Sequence, residues 1–535
     1  MRQIFNFIVI ILLSNFLIPY NGIKDIPIQE SGRIKPLDTF ARNQLLSFYG
    51  KSKLKHEDLS AINFLEVLIL DVDSVAYKDI FNINNPEVVQ TLGLDWENNY
   101  HKYNFIEIFS GINNEIDYFN SLKSKNEQDL TKKELEFSNI YSNTYYFIEL
   151  NASLRHAYLL PEIEIRNKYV ANQLGLEEGG MISFHYFYYN KEQVLNLISD
   201  ILPQEKISTQ EDIQNLNDEE KSAFGLAIQL RSLEMSYHNY LQEYIKNNPV
   251  QILKIIPPDP YIEDASWFSP LEILAGKNGP PTDKQIKLLS SLEEYISNRI
   301  NFNQEQADAA IKNYKKIISE ITTDVSEKLL KREVWYNKTN MLTIANAFYI
   351  LSFLLICISW IFQPSIIYNI SLSSIIMGML VHSCAIINRI IIMQRPPVST
   401  LYESIVFVSF IAVLISVIIE FWKKNTSGLF VGSILGSILL FIGYRYAAEG
   451  DTLGVLVAVL NSNFWLATHV VTITIGYGVT VVASTLAHLY LIRTMLDKDK
   501  KQLKIIYNSL LGITLFALFF TLFGTILGGI WADQS

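Results

Sequence analysis

Four places in the last third of the chain combine residue types suited to one kind of ligand. His382 and Arg389 are seven residues apart, so a helix would place them on one face about 10 Å from each other. A neutral imidazole ligates iron and a guanidinium forks onto carboxylates, so the pair suits a flat anionic cofactor held through its metal. The alternative use of such a histidine is hydrogen bonding between helices. Next comes Gln394-Arg395-Pro396-Pro397-Val398-Ser399-Thr400-Leu401-Tyr402-Glu403-Ser404, where the prolines stop one helix and Ser399 or Thr400 caps the next, with Glu403 as capping-box partner. Arg395 is then left either to meet an anion or to stand as an interfacial charge. The third place is Asn463 to His469, where Trp465 and His469 share a helical face. Tryptophan alone at a membrane edge is an anchor, and the histidine has a capping or packing use as its alternative. In a chain with 8 histidines, however, one standing a turn below a tryptophan points to metal binding. His488 is nineteen residues further on, roughly 28 Å along a helix, so it cannot share one iron with His469 and reads as structural. The fourth place is Gly524-x3-Gly528-Gly529-Ile530-Trp531, where small residues allow close helix contact and Trp531 emerges at the level where His469 begins.

Helices at a membrane edge must position these residues. Beyond Asn340, six hydrophobic stretches are each long enough, or nearly so, to cross about 30 Å of hydrocarbon at roughly 1.5 Å per residue. They cover approximately 341–361, 370–393, 404–421, 429–446, 465–492 and 505–531. That region holds ten Lys/Arg and seven Asp/Glu, so it is 3 units positive while the preceding residues are 13 units negative. The imbalance rules out a single soluble globule, and the acidic front argues against a nucleic-acid partner. Arg2 followed by the apolar run Phe5 to Pro19 reads as a secretory signal or signal anchor over 1–22, with an ordinary buried amphipathic segment as the alternative. Residues 23–335 form a polar, tyrosine-rich domain. In it, Glu211 to Lys246 and Thr282 to Lys331 carry apolar residues at helical spacing. The predicted fold class is an all-α integral membrane bundle of about six transmembrane helices over 340–535, following an N-terminal signal or anchor and a large, mostly helical extracytoplasmic domain. With that domain outside, Lys423, Lys424 and the basic residues from Arg493 to Lys504 fall on the cytoplasmic side. Arg389, Arg395 and Arg445 are left against the rule. Cys357 and Cys384 both lie in apolar runs, so the chain has no disulfide framework and no Cys-x-x-Cys pair.

Taken together, these pieces resemble the CcsA (ResC-like) haem-handling subunit of System II cytochrome c biogenesis. They are His382-x6-Arg389, Arg395 to Ser404, Asn463 to His469 with Tyr477 on the same span, and Gly524-Thr525-x2-Gly528-Gly529-x-Trp531-Ala532. The segment Ser31 to Arg42 resembles the extracytoplasmic region that precedes this core in fused bacterial versions. The resemblance implies a haem lyase component of the bacterial inner membrane that holds haem b externally while it is joined to the Cys-x-x-Cys-His of apocytochrome c. It implies His469 as an axial ligand, with Trp465 and Trp531 in the haem site. His382, Arg389 and Arg395 would serve the haem path or the propionate charge, with His382 as a second candidate ligand to iron. The implied partners are a CcsB/ResB-like subunit, apocytochrome c, haem and membrane lipid, without nucleic acid. The family's Trp-rich segment, its second external histidine and a further intramembrane histidine would follow Trp531, so the chain is expected to be a fragment that does not complete ligation alone. Two readings from other classes stay open: a membrane-anchored extracytoplasmic sensor or assembly scaffold, and a transporter of an anionic solute. Within the same class, a System I haem-handling relative is the competitor.

Overall fold

The computed structural model describes residues 22–54, 59–71, 73–98, 100–154, 162–203, 207, 209–247, 251–277, 279–362, 365–448, 450–456, 462–496 and 500–534. The expected signal or anchor lies outside them except for Gly22. The chain divides into two compact units, with the boundary between Ser326 and Glu327.

The polar unit is mostly helical. The long amphipathic stretches break into separate helices: Gln210–Gln214 and Asp218–Asn247 in one, and Asp283–Ile300, Gln304–Ile321 and Glu327–Thr339 in the other, the last belonging to the membrane unit. Side-chain caps mark many of the starts, as where Thr282 Oγ1 accepts from the Gln285 amide while Gln285 caps Thr282 in return. Among the described residues, four two-stranded antiparallel sheets, not foreseen from the helical periodicity, are set among these helices. In the first, Pro27–Glu30 pairs with Arg33–Pro36. Its two-residue turn, Ser31-Gly32, has positive φ at both positions, the turn geometry that matches the right-handed strand twist. One apolar core runs from Ile26 through Trp267 to Ile318. A second gathers the paired strands Glu162–Ile165 and Gly180–Ser183 with the front half of Asp218–Asn247.

The membrane unit is an all-α bundle with, among the described residues, six helices long and apolar enough to cross a membrane, which makes this a multi-pass membrane protein. The spans are Glu327–Phe362, Ser365–Met393, Leu401–Lys423, Ser427–Ala447, Asn463–Leu496 and Leu503–Gln534. The first packs on the second and fourth, the third on the fourth and fifth, and the sixth on the fifth. Lipid is as apolar as leucine, so small residues and hydroxyls must supply the attraction between spans. Ser352 and Ser371 bond each other at 3.0 Å, Ser374 Oγ donates to the Phe348 carbonyl at 2.8 Å, and Ser409 Oγ donates to the Gly436 carbonyl at 3.2 Å. Gly378 and Gly436 both lie against the Tyr349 ring, where a methyl group would come within 2.7–2.8 Å of it.

Candidate functional site

The fifth span opens irregularly. Ser462 Oγ caps the short turn Asn463–Trp465, a π-helical turn follows over Leu466–Val470, and Val471–Leu496 continues as α-helix. A π turn inserts a residue into the helix and turns the side chains around it, and such turns concentrate at functional sites. His469 lies inside this turn. The sixth span meets the fifth antiparallel in a regular ladder: Gly476 faces Thr521, Ile473 faces Gly524, and His469 faces Gly528. A methyl group at Gly528 would lie 2.5 Å from His469 Cε1, so only glycine leaves the ring its place.

Three of the residues singled out in the sequence meet here. The Trp531 ring is 5.8 Å from the His469 ring at 62° and 6.4 Å from the Trp465 ring at 10°, nearly parallel to it. His469 Nδ1 lies 2.7 Å from the Gly524 carbonyl oxygen. A carbonyl only accepts, so Nδ1 carries the hydrogen and the lone pair of a neutral ring falls on Nε2. Nε2 makes no hydrogen bond among the described residues. This is how metal-binding imidazoles are usually prepared: one nitrogen is fixed to a backbone carbonyl and the other is left to coordinate. The donor lies beside the Trp531 indole, on which the Trp465 indole stacks, and this suits an iron at the centre of a flat aromatic ring system.

Arg389 and Arg395 belong to a different cluster. Arg389 Nη2 donates to Glu403 Oε1 at 2.9 Å and also to the Thr452 carbonyl, while Nη1 reaches Thr452 Oγ1 at 3.3 Å. The Tyr402 ring lies under the guanidinium at 5.0 Å, and the ion pair is only 2% and 1% exposed. Arg395 Nη2 donates to the Gly454 carbonyl at 2.7 Å. Both arginines thus hold the connection between the fourth and fifth spans. Glu403 combines the capping role expected of it with a second one. Thr400 Oγ1 accepts from the Glu403 amide at 3.1 Å, Glu403 Oε2 accepts from Ser399, and Oε1 takes Arg389.

His382 is also apart from His469. It is 0% exposed, its Nδ1 is 3.1 Å from Tyr349 Oη, and Phe410 meets its ring edge-on at 5.6 Å. None of these neighbours belongs to the His469 group. Although His382 and Arg389 share a helix, one faces aromatic rings of the first and third spans and the other faces the start of the third span and the connection between the fourth and fifth. His488 is exposed and its Nδ1 bonds the Ser484 carbonyl of its own helix, while Tyr477 is half exposed. Sequence reasoning did not find Tyr349, Thr452, Gly454 or the π turn. No sequence signal marks a backbone carbonyl as an arginine's partner.

Residues 398–535 match the family model described as Cytochrome C assembly protein. The matched region takes in Glu403, Trp465, His469 and Trp531 and begins after His382, Arg389 and Arg395. No curated protein matches the chain. The C-terminal membrane region of this chain is thus similar to the cytochrome c assembly protein family, which is consistent with a CcsA-like protein and with a role in cytochrome c biogenesis.

Proposed function

We propose that the protein holds haem b at the His469 end of the bundle, on the extracytoplasmic face of a bacterial inner membrane. There it presents the haem for thioether attachment to the Cys-x-x-Cys-His of apocytochrome c. The observation that carries this reading is the preparation of His469. Nδ1 is committed to Gly524, Nε2 is left with its lone pair, and Trp465 and Trp531 stand alongside. Haem supplies the vinyl groups and the apocytochrome supplies both thiols, so the protein needs to contribute position rather than a nucleophile. His469 Nε2 would hold the iron and the two indoles would set the ring plane. The π turn would fix the imidazole's direction. A CcsB/ResB-like subunit is the partner this reading calls for, and the chain would act within such an assembly.

The test is the absorption spectrum of the purified full chain in detergent after expression with haem available, beside His469→Ala. A Soret band that the substitution weakens or shifts supports the site. A folded protein without haem in either form, alone and together with a CcsB/ResB-like subunit, overturns it.

A further inference from the structure

The polar unit carries a groove at the place where its two apolar cores meet. The short helix Phe184–Tyr189 is pinned by Phe184 and Phe187, three residues apart and both buried in the second core. Tyr188 and Tyr189 pack against the first core. Tyr186 and Tyr189, also three apart, both line a cavity of about 590 Å³. The other wall is one face of helix Asp283–Ile300. Leu288, Leu289, Leu292 and Ile296 of that helix are buried in the first core, while Asp283, Lys287, Ser290, Glu294 and Ser297, at helical spacing on the other side, line the groove. From Asp283 to Asn298 the lining extends along roughly 22 Å of helix.

The chemistry of this lining is lopsided. Asn190 Nδ2 donates to the Tyr186 carbonyl and Asn298 Nδ2 to the Glu294 carbonyl, each at 2.8 Å, and neither amide oxygen accepts a hydrogen bond among the described residues. Asp283, Glu293 and Glu294 add three carboxylates against the one ammonium of Lys287. Asp283 and Lys287 are four residues apart, where opposite charges on a helix pair, yet among the described residues they form no ion pair. The Glu294 carboxylate is likewise without a partner among them. Carboxylates and amide oxygens accept hydrogen bonds and attract cations, and the tyrosine rings attract cations through their faces.

We propose that this groove binds an extended peptide segment bearing lysine or arginine. Both side chains are donor-only, so they match a wall rich in acceptors, and their apolar stems can lie along the tyrosine rings while the charged ends reach the carboxylates. Length favours a peptide over a compact cation. At about 3.3 Å per residue, roughly six or seven residues of extended chain span the distance from Asp283 to Asn298, and side chains on alternate residues meet the same wall. Lys287 supplies a donor for a carbonyl of the bound chain. The groove lies wholly within the polar unit and shares no residue with the haem site.

Fluorescence anisotropy of the full chain in a non-ionic detergent tests this, with a dye-labelled peptide of about seven residues in which glycine alternates with lysine. Asp283→Asn combined with Glu294→Gln should weaken binding about fivefold or more, the scale of two exposed charge pairs, and Tyr186→Ala about threefold. Glu177→Gln combined with Glu178→Gln removes the same charge from exposed positions outside the groove and should leave the affinity unchanged. Bound peptide should also slow hydrogen exchange in 186–190 and 283–298. Equal weakening by the two double variants, or equal binding of a peptide with glutamate in place of lysine, would show attraction to overall charge and overturn the site. Spermidine that binds as tightly as the peptide and displaces it would overturn the peptide in favour of a small cation. A folded chain that does not bind the lysine peptide overturns the proposal outright.

Discussion

His469 owes its orientation to residues with almost no side chain. Gly524 offers a carbonyl and Gly528 leaves room for the ring, so the sixth span sets the direction of a histidine that the fifth span carries. Gly528→Ala should push the imidazole off that position. The expected outcome is a loss of haem affinity of about tenfold or more, the usual scale for disturbing the groups that orient a metal ligand. Haem titration followed at the Soret band, with far-UV dichroism as a check on folding, measures it, and unchanged affinity would mean that the ring is held by other contacts. The glycines of the sixth span, the tryptophans and the histidine were legible in the sequence as pieces. The direction of Nε2 was not, because it depends on a carbonyl 55 residues away and on a π turn that leaves no compositional trace.

Buried charges tie the spans together at the connections. Arg389 and Glu403 join the turn between the second and third spans to the connection between the fourth and fifth, in a place nearly closed to water. Removing one partner strands the other charge, so Arg389→Gln and Glu403→Gln should each destabilise by about 3–5 kcal/mol, while Arg389→Met combined with Glu403→Leu should cost much less. A double-mutant cycle from unfolding in detergent tests this, and additive effects would show the pair to be uncoupled. Hydrogen exchange adds a second readout, since either single change should speed exchange in 450–456 even without haem. At the connection between the third and fourth spans, Glu420 is 0% exposed and accepts from Tyr368 Oη at 2.9 Å and from the amides of Thr426, Gly428 and Leu429. These are the unpaired donors at the start of the fourth span, so the carboxylate serves as its cap. Glu420→Ala should cost about 2–4 kcal/mol, with Glu420→Gln milder because it keeps the shape and part of the bonding. Thermal unfolding of the purified chain ranks the two, and equal stability would remove the capping account.

For the whole molecule, the division of charge between the units predicts where pH acts. The polar unit contains Glu149 on helix Lys132–Ala152, buried among Tyr244 Oη at 3.2 Å and Gln251 Nε2 at 3.4 Å. Burial pushes its carboxyl above the ordinary range, only partly offset by those two donors. The folded unit therefore binds this proton more tightly than the unfolded chain does. Its contribution to stability falls as pH rises from the ordinary carboxyl range through the raised value. Glu149→Gln should flatten that slope and leave the polar unit at least as stable near neutral pH. Hydrogen exchange of helices Lys132–Ala152 and Asp218–Asn247 in the full chain, measured across pH, reads this out, and an unchanged slope would show that Glu149 is not its source.

Hydropathy and length by themselves determined the six spans, because a stretch that must cross hydrocarbon has to be apolar throughout, and the periodicity of the polar region likewise determined that it would be helical. The same chemistry made His469 and Trp465 visible as a pair, since a histidine one turn from a tryptophan stands out at an apolar span's edge, with Trp531 as a separate piece at the end of the sixth span. Only the tertiary structure decided that His382 is enclosed by Tyr349 and Phe410, that Arg389 and Arg395 hold carbonyls of one connection, and that Glu420 caps a helix start. The physical reason is common to all three. A charged or polar side chain inside the spans must find a partner, and that partner is set by which helices lie side by side rather than by spacing along the chain.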